Sequence, residues 1–136
     1  MFYRVFFSFL FLAQTAIFSQ VTFQKAIGVD AGGSEEAKFV LETADGDFIL
    51  LGGAYNAGGT EEDALIVKTD SAGTIIWSKS FGDNTLIDYF SAGLIADDGS
   101  IYALGYTIGF STAGSIYLVK FDSDGNIIWE KAYDTA

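Results

Sequence analysis

The chain has no cysteine and no histidine, and only 7 of its 136 residues are lysine or arginine. Without cysteine it forms no disulfide, thiolate nucleophile or cysteine-based metal site. Without histidine it lacks the usual general base, the usual zinc ligand and every catalytic triad built on imidazole. Its 18 acidic residues give a formal net charge of −11, which repels nucleic acid and anionic membrane surfaces. We therefore expect no nucleic-acid partner, no cofactor and no metal, and interpret the acidity as a means of solubility outside a cell.

The first 19 residues have the layout of a secretory signal peptide. Arg4 supplies a short positive start, residues 5–12 are apolar, and residues 13–20 are smaller and more polar, which is the order that such signals require. The apolar run is too short to span a bilayer, which needs about 20 residues, although a buried helix is an alternative. We expect cleavage after Ser19, with Ile17 as an imperfection in the site, so that the exported chain begins at Gln20 and has no membrane span.

A tandem repeat of about 52 residues fills nearly all of the remaining chain, residues 20–136. Residues 65–77, LIVKTDSAGTIIW, align with residues 117–129, YLVKFDSDGNIIW, and Asp45-Gly46 aligns with Asp98-Gly99. The two copies occupy about residues 24–77 and 78–129, and a third begins at Glu130. A period of this size indicates a solenoid, a propeller or another array.

Each copy contains four short runs that predict β-strands. The runs are rich in Ile, Val, Leu, Phe and Tyr and are bounded by turn residues: they cover about residues 37–43, 47–55, 63–70 and 74–80, then 89–96, 100–107, 115–122 and 126–132. Asp45-Gly46 and Asp98-Gly99 indicate tight hairpins, and Gly73 and Gly125 end slightly longer ones. No helix is expected after the signal. Four antiparallel strands per repeat predict β-propeller blades, two complete and a third just started.

Continuous apolar runs favour a propeller over a sheet that has one solvent-exposed face. Residues 48–51, 64–67, 101–104 and 116–119 are apolar without alternation, so both faces of the inner strands should be buried. A β-sandwich, which predicts cleaner alternation, and a β-solenoid are the alternatives. Gly52-Gly53 and Gly105 lie at corresponding places in a strand and predict a close backbone approach or a bulge.

These residues resemble a family of secreted repeat proteins common in Bacteroidota. Its blades begin with Trp-Lys-x-Phe-Gly, turn at Asp-Gly, carry a Gly after the second strand and end with Val-Lys-x-Asp-x-x-Gly-x-x-x-Trp. The matching residues are Trp77, Lys79, Phe81, Gly82, Asp98, Gly99, Gly105, Val119, Lys120, Asp122, Gly125 and Trp129, and in the first copy Asp45, Gly46, Gly52, Val67, Lys68, Asp70, Gly73 and Trp77. Phe23 and Asp134 depart from the pattern. The resemblance implies a propeller outside the cell, often followed by a sorting domain for type IX secretion.

The repeated Trp and Asp residues have structural and functional interpretations. Trp77 and Trp129 occupy the same repeat position, which favours docking of one blade on the next over stacking on a sugar. Asp70 and Asp122 are placed to cap their own turns. The run Asp122-Ser123-Asp124-Gly125-Asn126 suggests a cation loop but lacks the spacing and terminal Glu of an EF-hand.

No motif specifies a reaction, so we expect no catalytic residues. The Asp-to-Gly and Gly-to-Trp spacings are each one residue longer than in sialidase Asp boxes, and the Asp-to-Gly spacing is one residue shorter than in quinoprotein docking motifs, whose Thr is also missing. The carboxylate clusters Glu35-Glu36 and Glu61-Glu62-Asp63 could in principle hydrolyse glycosides, but a solvated acidic surface explains them. Gly58-Gly59-Thr60 is too short to cradle a phosphate.

The leading hypothesis is an exported, non-enzymatic scaffold that binds carbohydrate, another surface protein or further blades. The alternative is the N-terminal part of a propeller-type hydrolase or quinoprotein whose catalytic residues lie beyond Ala136. Since a propeller needs about 4 to 8 blades, we expect these residues to belong to a longer chain.

Overall fold

The chain folds into eight antiparallel β-strands separated by the turn signals of the sequence. The computed structural model describes residues 26–28, 33–55, 61–82, 86–109 and 114–134, and these contain no helix. The strands are β1 (Ser34–Glu42), β2 (Phe48–Tyr55), β3 (Glu62–Thr69), β4 (Ile75–Phe81), β5 (Asp88–Ile95), β6 (Ile101–Thr107), β7 (Ser115–Phe121) and β8 (Ile127–Tyr133).

Each repeat forms its own four-stranded sheet. The first sheet has the order β1-β2-β3-β4 and the second has the order β5-β6-β7-β8, so neighbours in sequence are neighbours in space. All pairings are antiparallel. The all-β prediction with four strands per repeat is therefore confirmed. Neither sheet closes on itself, and this arrangement is compatible with a pair of propeller blades and with a sandwich.

The tight connections in both sheets are built in the same way. Thr43 N donates to Asp47 O at 2.9 Å, and Gly46 N donates to Thr43 O at 3.0 Å, which leaves a three-residue loop ending in a glycine at φ 81°. The same pair of bonds closes the turns that start at Asp70, Ala96 and Asp122. The turns at Gly73 and Gly125 were predicted to be longer than those at the Asp-Gly pairs. This prediction was wrong, because all four loops have the same length and differ only in their residues.

A β-bulge lies at the same place in both sheets. The register shifts between Ala37 and Phe39 on β1 and between Phe90 and Ala92 on β5. Opposite the first bulge, a Cβ on Gly52 would overlap the carbonyl oxygen of Glu36, and opposite the second a Cβ on Gly105 would overlap that of Tyr89. The close backbone approach predicted at these glycines is confirmed, and its cause is the extra residue that each bulge inserts.

The main core lies between the two sheets. Phe81 and Phe121 contact each other across it with ring centroids 5.3 Å apart, and Phe90 meets Phe121 edge to face at 5.9 Å. The buried members are Ile49, Leu51, Ala64, Ile66, Phe90, Ile101, Ala103, Tyr117, Val119 and Phe121. Because apolar residues of both repeats fill one cluster, the two sheets stabilise each other.

The prediction that both faces of every inner strand are buried holds for the first sheet and was wrong for the second. On β3, consecutive residues from Ala64 to Val67 are buried, and Leu65 and Val67 form a smaller cluster on the far side with Ala54, Leu50 and Ile27. On β6 and β7, Leu104 and Ile116 are exposed. Within the described residues, no third sheet packs on the outer face of the second sheet, which leaves that face exposed.

The predicted signal peptide lies outside the described residues, as does the Gly58-Gly59-Thr60 loop. Across the described ranges, the structure has no helix that is long and apolar enough to cross a membrane.

Candidate functional site

Within the described residues, the face of the second sheet that points away from the first is an apolar surface on which no other sheet packs. We call it the open face; it comprises Leu94, Tyr102, Leu104, Ile116, Leu118 and Trp129. Leu94, Leu104 and Ile116 are exposed, and a shallow groove of about 240 Å³ runs between Leu94, Leu104 and Leu118. Contiguous exposed apolar surface of this kind marks a site of interaction.

The contact between the two sheets shows which face of a repeat is used for docking. Trp77 lies over the β7-β8 turn, where its Cη2 and Cζ3 carbons are 2.8 Å from the point that a Cβ on Gly125 would occupy. Lys79 Nζ donates to Asn126 Oδ1 of that turn at 2.8 Å. The structure thus places Trp77 in the docking role predicted for it, and Gly125 is the small residue that admits the ring.

Trp129 occupies the same repeat position on the open face. Its ring meets Tyr102 of its own sheet edge to face at 6.0 Å, and Lys131 Nζ lies 5.5 Å from its ring centroid. The docking role predicted for Trp129 is not tested by the described residues. Its aromatic surface and the flanking cation remain available to a partner.

An ion pair with a buried carboxylate joins β1 and β3 within the first sheet, and its lysine also contacts the second sheet. Lys38 Nζ donates to Glu62 Oε1 at 2.8 Å, and Tyr55 OH donates to Glu62 Oε2 at 3.2 Å. Lys38 Nζ also lies 3.8 Å from the ring centroid of Tyr89 on β5. Because Glu62 is buried, the interpretation of its cluster as solvated surface was wrong for this residue. Sequence alone gave no signal for it, since Lys38 is 24 residues away.

Glu62 raises the pKa of both groups that bond to it, Lys38 and Tyr55. Burial by itself lowers the pKa of Lys38, but the hydrogen bond and charge of Glu62 outweigh it, so the pKa of Lys38 lies above its ordinary value. The charge of Glu62 and its hydrogen bond also raise the pKa of Tyr55. Both groups therefore keep their protons at neutral pH and hold the carboxylate of Glu62 in place, which is a structural role.

Replacing Lys38 with methionine should lower the free energy of unfolding by about 3 kcal/mol, because the carboxylate of Glu62 stays buried without its cation. Lys120→Met is the matched control: Lys120 pairs at 3.7 Å with the exposed side chain of Asp98, and such pairs contribute about 1 kcal/mol or less. Urea melts at neutral pH measure both changes. Equal effects of the two substitutions would contradict the buried-pair interpretation.

Asp122 caps its own turn, as predicted. Its Oδ1 accepts from the backbone N of Asp124 at 3.0 Å and of Asn126 at 2.8 Å, while Oδ2 accepts from Asn126 Nδ2 at 2.9 Å. Asp70 accepts in the same way from Ala72 and Thr74. Both oxygens of Asp122 are therefore engaged within the turn, which favours a cap over a cation loop.

The hydrogen bonds from Asn126 and Asp124 and the nearby charge of Lys79 lower the pKa of Asp122. The folded state thus binds this proton more weakly than the unfolded state does, so the stabilisation is present above the ordinary pKa of about 3.9 and is lost as the pH falls below it. We expect the stability difference between the natural chain and Asp122→Asn to shrink between about pH 5 and pH 2. Denaturant melts across this range measure it, with Asp124→Asn as the control in the same turn; a constant difference would contradict it.

A second polar group lies where the chain crosses from β4 to the second sheet. Tyr117 OH donates to Glu130, and Ser115 Oγ donates to Asp134. Burial, followed by the hydrogen bond to Glu130, raises the pKa of Tyr117. A cleft of about 220 Å³ opens beside it between Phe81, Leu86 and Asp88. The carboxylates of Glu130 and Asp134 are bonded to hydroxyls of β7, so these contacts join β7 to β8 and to the residue that follows it.

The ends of the two sheets enclose a wider cleft of about 490 Å³ beside the Asp-Gly turns. Glu42, Asp45 and Asp97 line it together with Lys68, which is 3.6 Å from Asp47. In the described part of the chain, no group of three or more acidic side chains is arranged to hold a metal ion.

Comparison of the sequence with protein-family models gives no match. Comparison with curated proteins also gives no match.

Proposed function

We propose that the chain is an exported, non-enzymatic scaffold of β-propeller blades that works outside the cell or at its surface. The observation that carries the proposal is the open face. A sheet repeated within the chain docks through one face onto its neighbour, and the next sheet presents the corresponding face to solvent. A repeat that exposes its docking surface is suited to binding macromolecules.

Three features support the blade interpretation over a sandwich. Both sheets have the same strand order and the same bulge position. Their tight turns share one hydrogen-bond pattern. The sheets also dock in a directional way, with Trp77 of one meeting Gly125 of the other, which is an arrangement that successive blades around an axis can repeat.

Export is tested by sequencing the amino terminus of the chain recovered from the medium or the cell surface. We expect it to begin near Gln20, because the charged start, apolar centre and polar exit of residues 1–19 form one signal. Recovery of a chain that still begins at Met1 would contradict the proposal.

The scaffold role is tested by passing purified surface polysaccharides and surface proteins of the producing cells over the immobilised exported chain. We expect saturable binding, with the bound molecule recovered chemically unchanged. Cleavage or oxidation of the ligand would replace the scaffold with the enzyme hypothesis. The ligand is expected to be a carbohydrate, a surface protein or further blades.

A further inference from the structure

We infer that a further sheet of the same repeat, outside the two described sheets, covers the open face and docks on it as the second sheet docks on the first. The inference rests on the proposed scaffold function and names the occupant of its open face. Tyr133, at the end of β8, belongs to the same surface, because it pairs with Ile116 of the open face.

One position of the repeat contacts the next sheet more than once along the chain. Ile27, Phe81 and Tyr133 are equivalent, since they end the aligned segments QKAI, SKSF and EKAY. Phe81 packs against the core between the sheets, with its ring centroid 5.3 Å from that of Phe121 on the second sheet. Ile27 packs against the cluster on the face of the first sheet that points away from the second. Tyr133 is the third member of this series and is 48% exposed.

The surroundings of Ile27 and Phe81 also correspond. Ile27 lines a cleft of about 260 Å³ together with Leu65. Phe81 lines a cleft of about 220 Å³ together with Tyr117, which is the repeat equivalent of Leu65. The same contact is therefore made on the first sheet and on the second, and Tyr133 is placed to make it on a third.

Other residues of the open face are equivalent to residues that are buried between the two sheets. Leu104 corresponds to Leu51 and Ile116 to Ala64 in both the sequence alignment and the strand registers. Leu51 and Ala64 are each 0% exposed, whereas Leu104 is 41% and Ile116 is 52% exposed. The open face thus repeats a surface whose occupant is known, and that occupant is a sheet of this repeat.

A second copy of the two described sheets offers no free surface to fill this role. In the second sheet, the receiving residues Tyr117 and Val119 are covered by the first sheet. Their equivalents in the first sheet, Leu65 and Val67, are only 6% and 2% exposed, and Ile27 packs against their cluster. Because both receiving faces are already covered, the occupant is a sheet beyond these two, which the longer chain predicted from the sequence would supply.

The shape of the existing contact restricts the occupant further. A Cβ on Gly93 of the second sheet would overlap Leu51 Cδ1, so the sheet that receives this leucine needs a glycine there. Leu104 repeats the leucine on the open face. The first sheet carries Val40 at the position of Gly93, and a copy of it therefore does not fit against Leu104. We expect the further sheet to have glycine at this position.

Cysteine labelling tests whether the face is covered, because residues 1–136 contain no cysteine. Leu104→Cys and Ile128→Cys are introduced singly into the chain as the producing cells export it, and labelling by a water-soluble maleimide is followed by peptide mapping. We expect labelling of Leu104→Cys to be at least about 10-fold slower than that of Ile128→Cys, because a covered thiol reacts only when the contact opens. In urea the two variants should react at equal rates.

Ile128 is the matched control position. It is 53% exposed on β8, and its equivalent, Ile76, is 52% exposed although its own sheet is docked. Docking of a further sheet should therefore leave position 128 in water. Equal labelling of the two variants in the folded chain overturns the inference.

Photo-cross-linking identifies the occupant. Benzoylphenylalanine replaces Tyr133 in the exported chain, and the captured molecule is identified by mass spectrometry. We expect a peptide of the same chain that carries this repeat and lies outside residues 1–136. Capture of a second copy of residues 26–134, of another protein or of a carbohydrate overturns the inference, as does the absence of any product. An exported chain that leaves Leu104→Cys open to labelling but still binds an unmodified ligand retains the scaffold function, which separates the two failures.

Discussion

Replacing Trp77 with alanine should lower the free energy of unfolding by about 3 kcal/mol, the lower end of the range for emptying a packed aromatic site. Trp77 is partly buried against the core cluster and covers Gly125 of the second sheet. Its loss removes the contact that fixes one sheet on the other and opens a space that the two backbones cannot close. Urea melts of the exported chain followed by tryptophan fluorescence and by circular dichroism measure the change.

Trp129→Ala is the control, because Trp129 has the same repeat position but packs on Tyr102 of its own sheet. In residues 20–136 without a further sheet, we expect less than half the effect of Trp77→Ala. If Trp77→Ala moves the melt by under about 1 kcal/mol while abolishing glycan binding, then Trp77 is a ligand platform and the docking role is wrong.

Gly52→Ala should prevent the first sheet from forming in its present register. A Cβ at this position would overlap the carbonyl oxygen of Glu36 and approach the backbone of Ala37, and backbone at a β-bulge cannot move aside as a side chain can. We expect a loss of about 4 kcal/mol or more, in the range reserved for severe core disruption, and a large fraction of unfolded chain. Circular dichroism and the yield of folded protein measure it.

Gly46→Ala is the matched control. Gly46 has φ 81°, and no atom lies within 4 Å of a Cβ placed there, so the substitution costs only the strain of the left-handed conformation, about 1 to 2 kcal/mol. If Gly52→Ala is tolerated as well as Gly46→Ala, the bulge is not held by the close approach that the structure shows.

Local features could be predicted from the sequence. The eight strands begin and end within three residues of the predicted bounds, because apolar runs bounded by turn residues reflect hydrogen bonding between neighbours in the chain. Local sequence patterns also predicted the caps at Asp70 and Asp122 and the close backbone approaches at Gly52 and Gly105. Each depends on residues a few positions apart or in adjacent strands.

Features that join distant residues could not be predicted. The charge of Glu62 identified it as a surface residue, yet Lys38 and Tyr55 hold it in the interior. No local pattern distinguishes it from Glu61. The cost of burying a carboxylate is offset by partners whose positions only the assembled sheets determine.

By itself, the sequence determined that residues 24–129 hold two copies of a four-stranded antiparallel repeat, because strand periodicity and turn chemistry act over short stretches of chain. Only the tertiary structure decided which apolar faces are buried. Leu51 and Leu104 are the same residue type at the same repeat position, but one lies against the neighbouring sheet and the other against solvent. Whether a residue is buried depends on what packs against it as well as on its own type, because the hydrophobic effect acts on the apolar area that the neighbour removes from water.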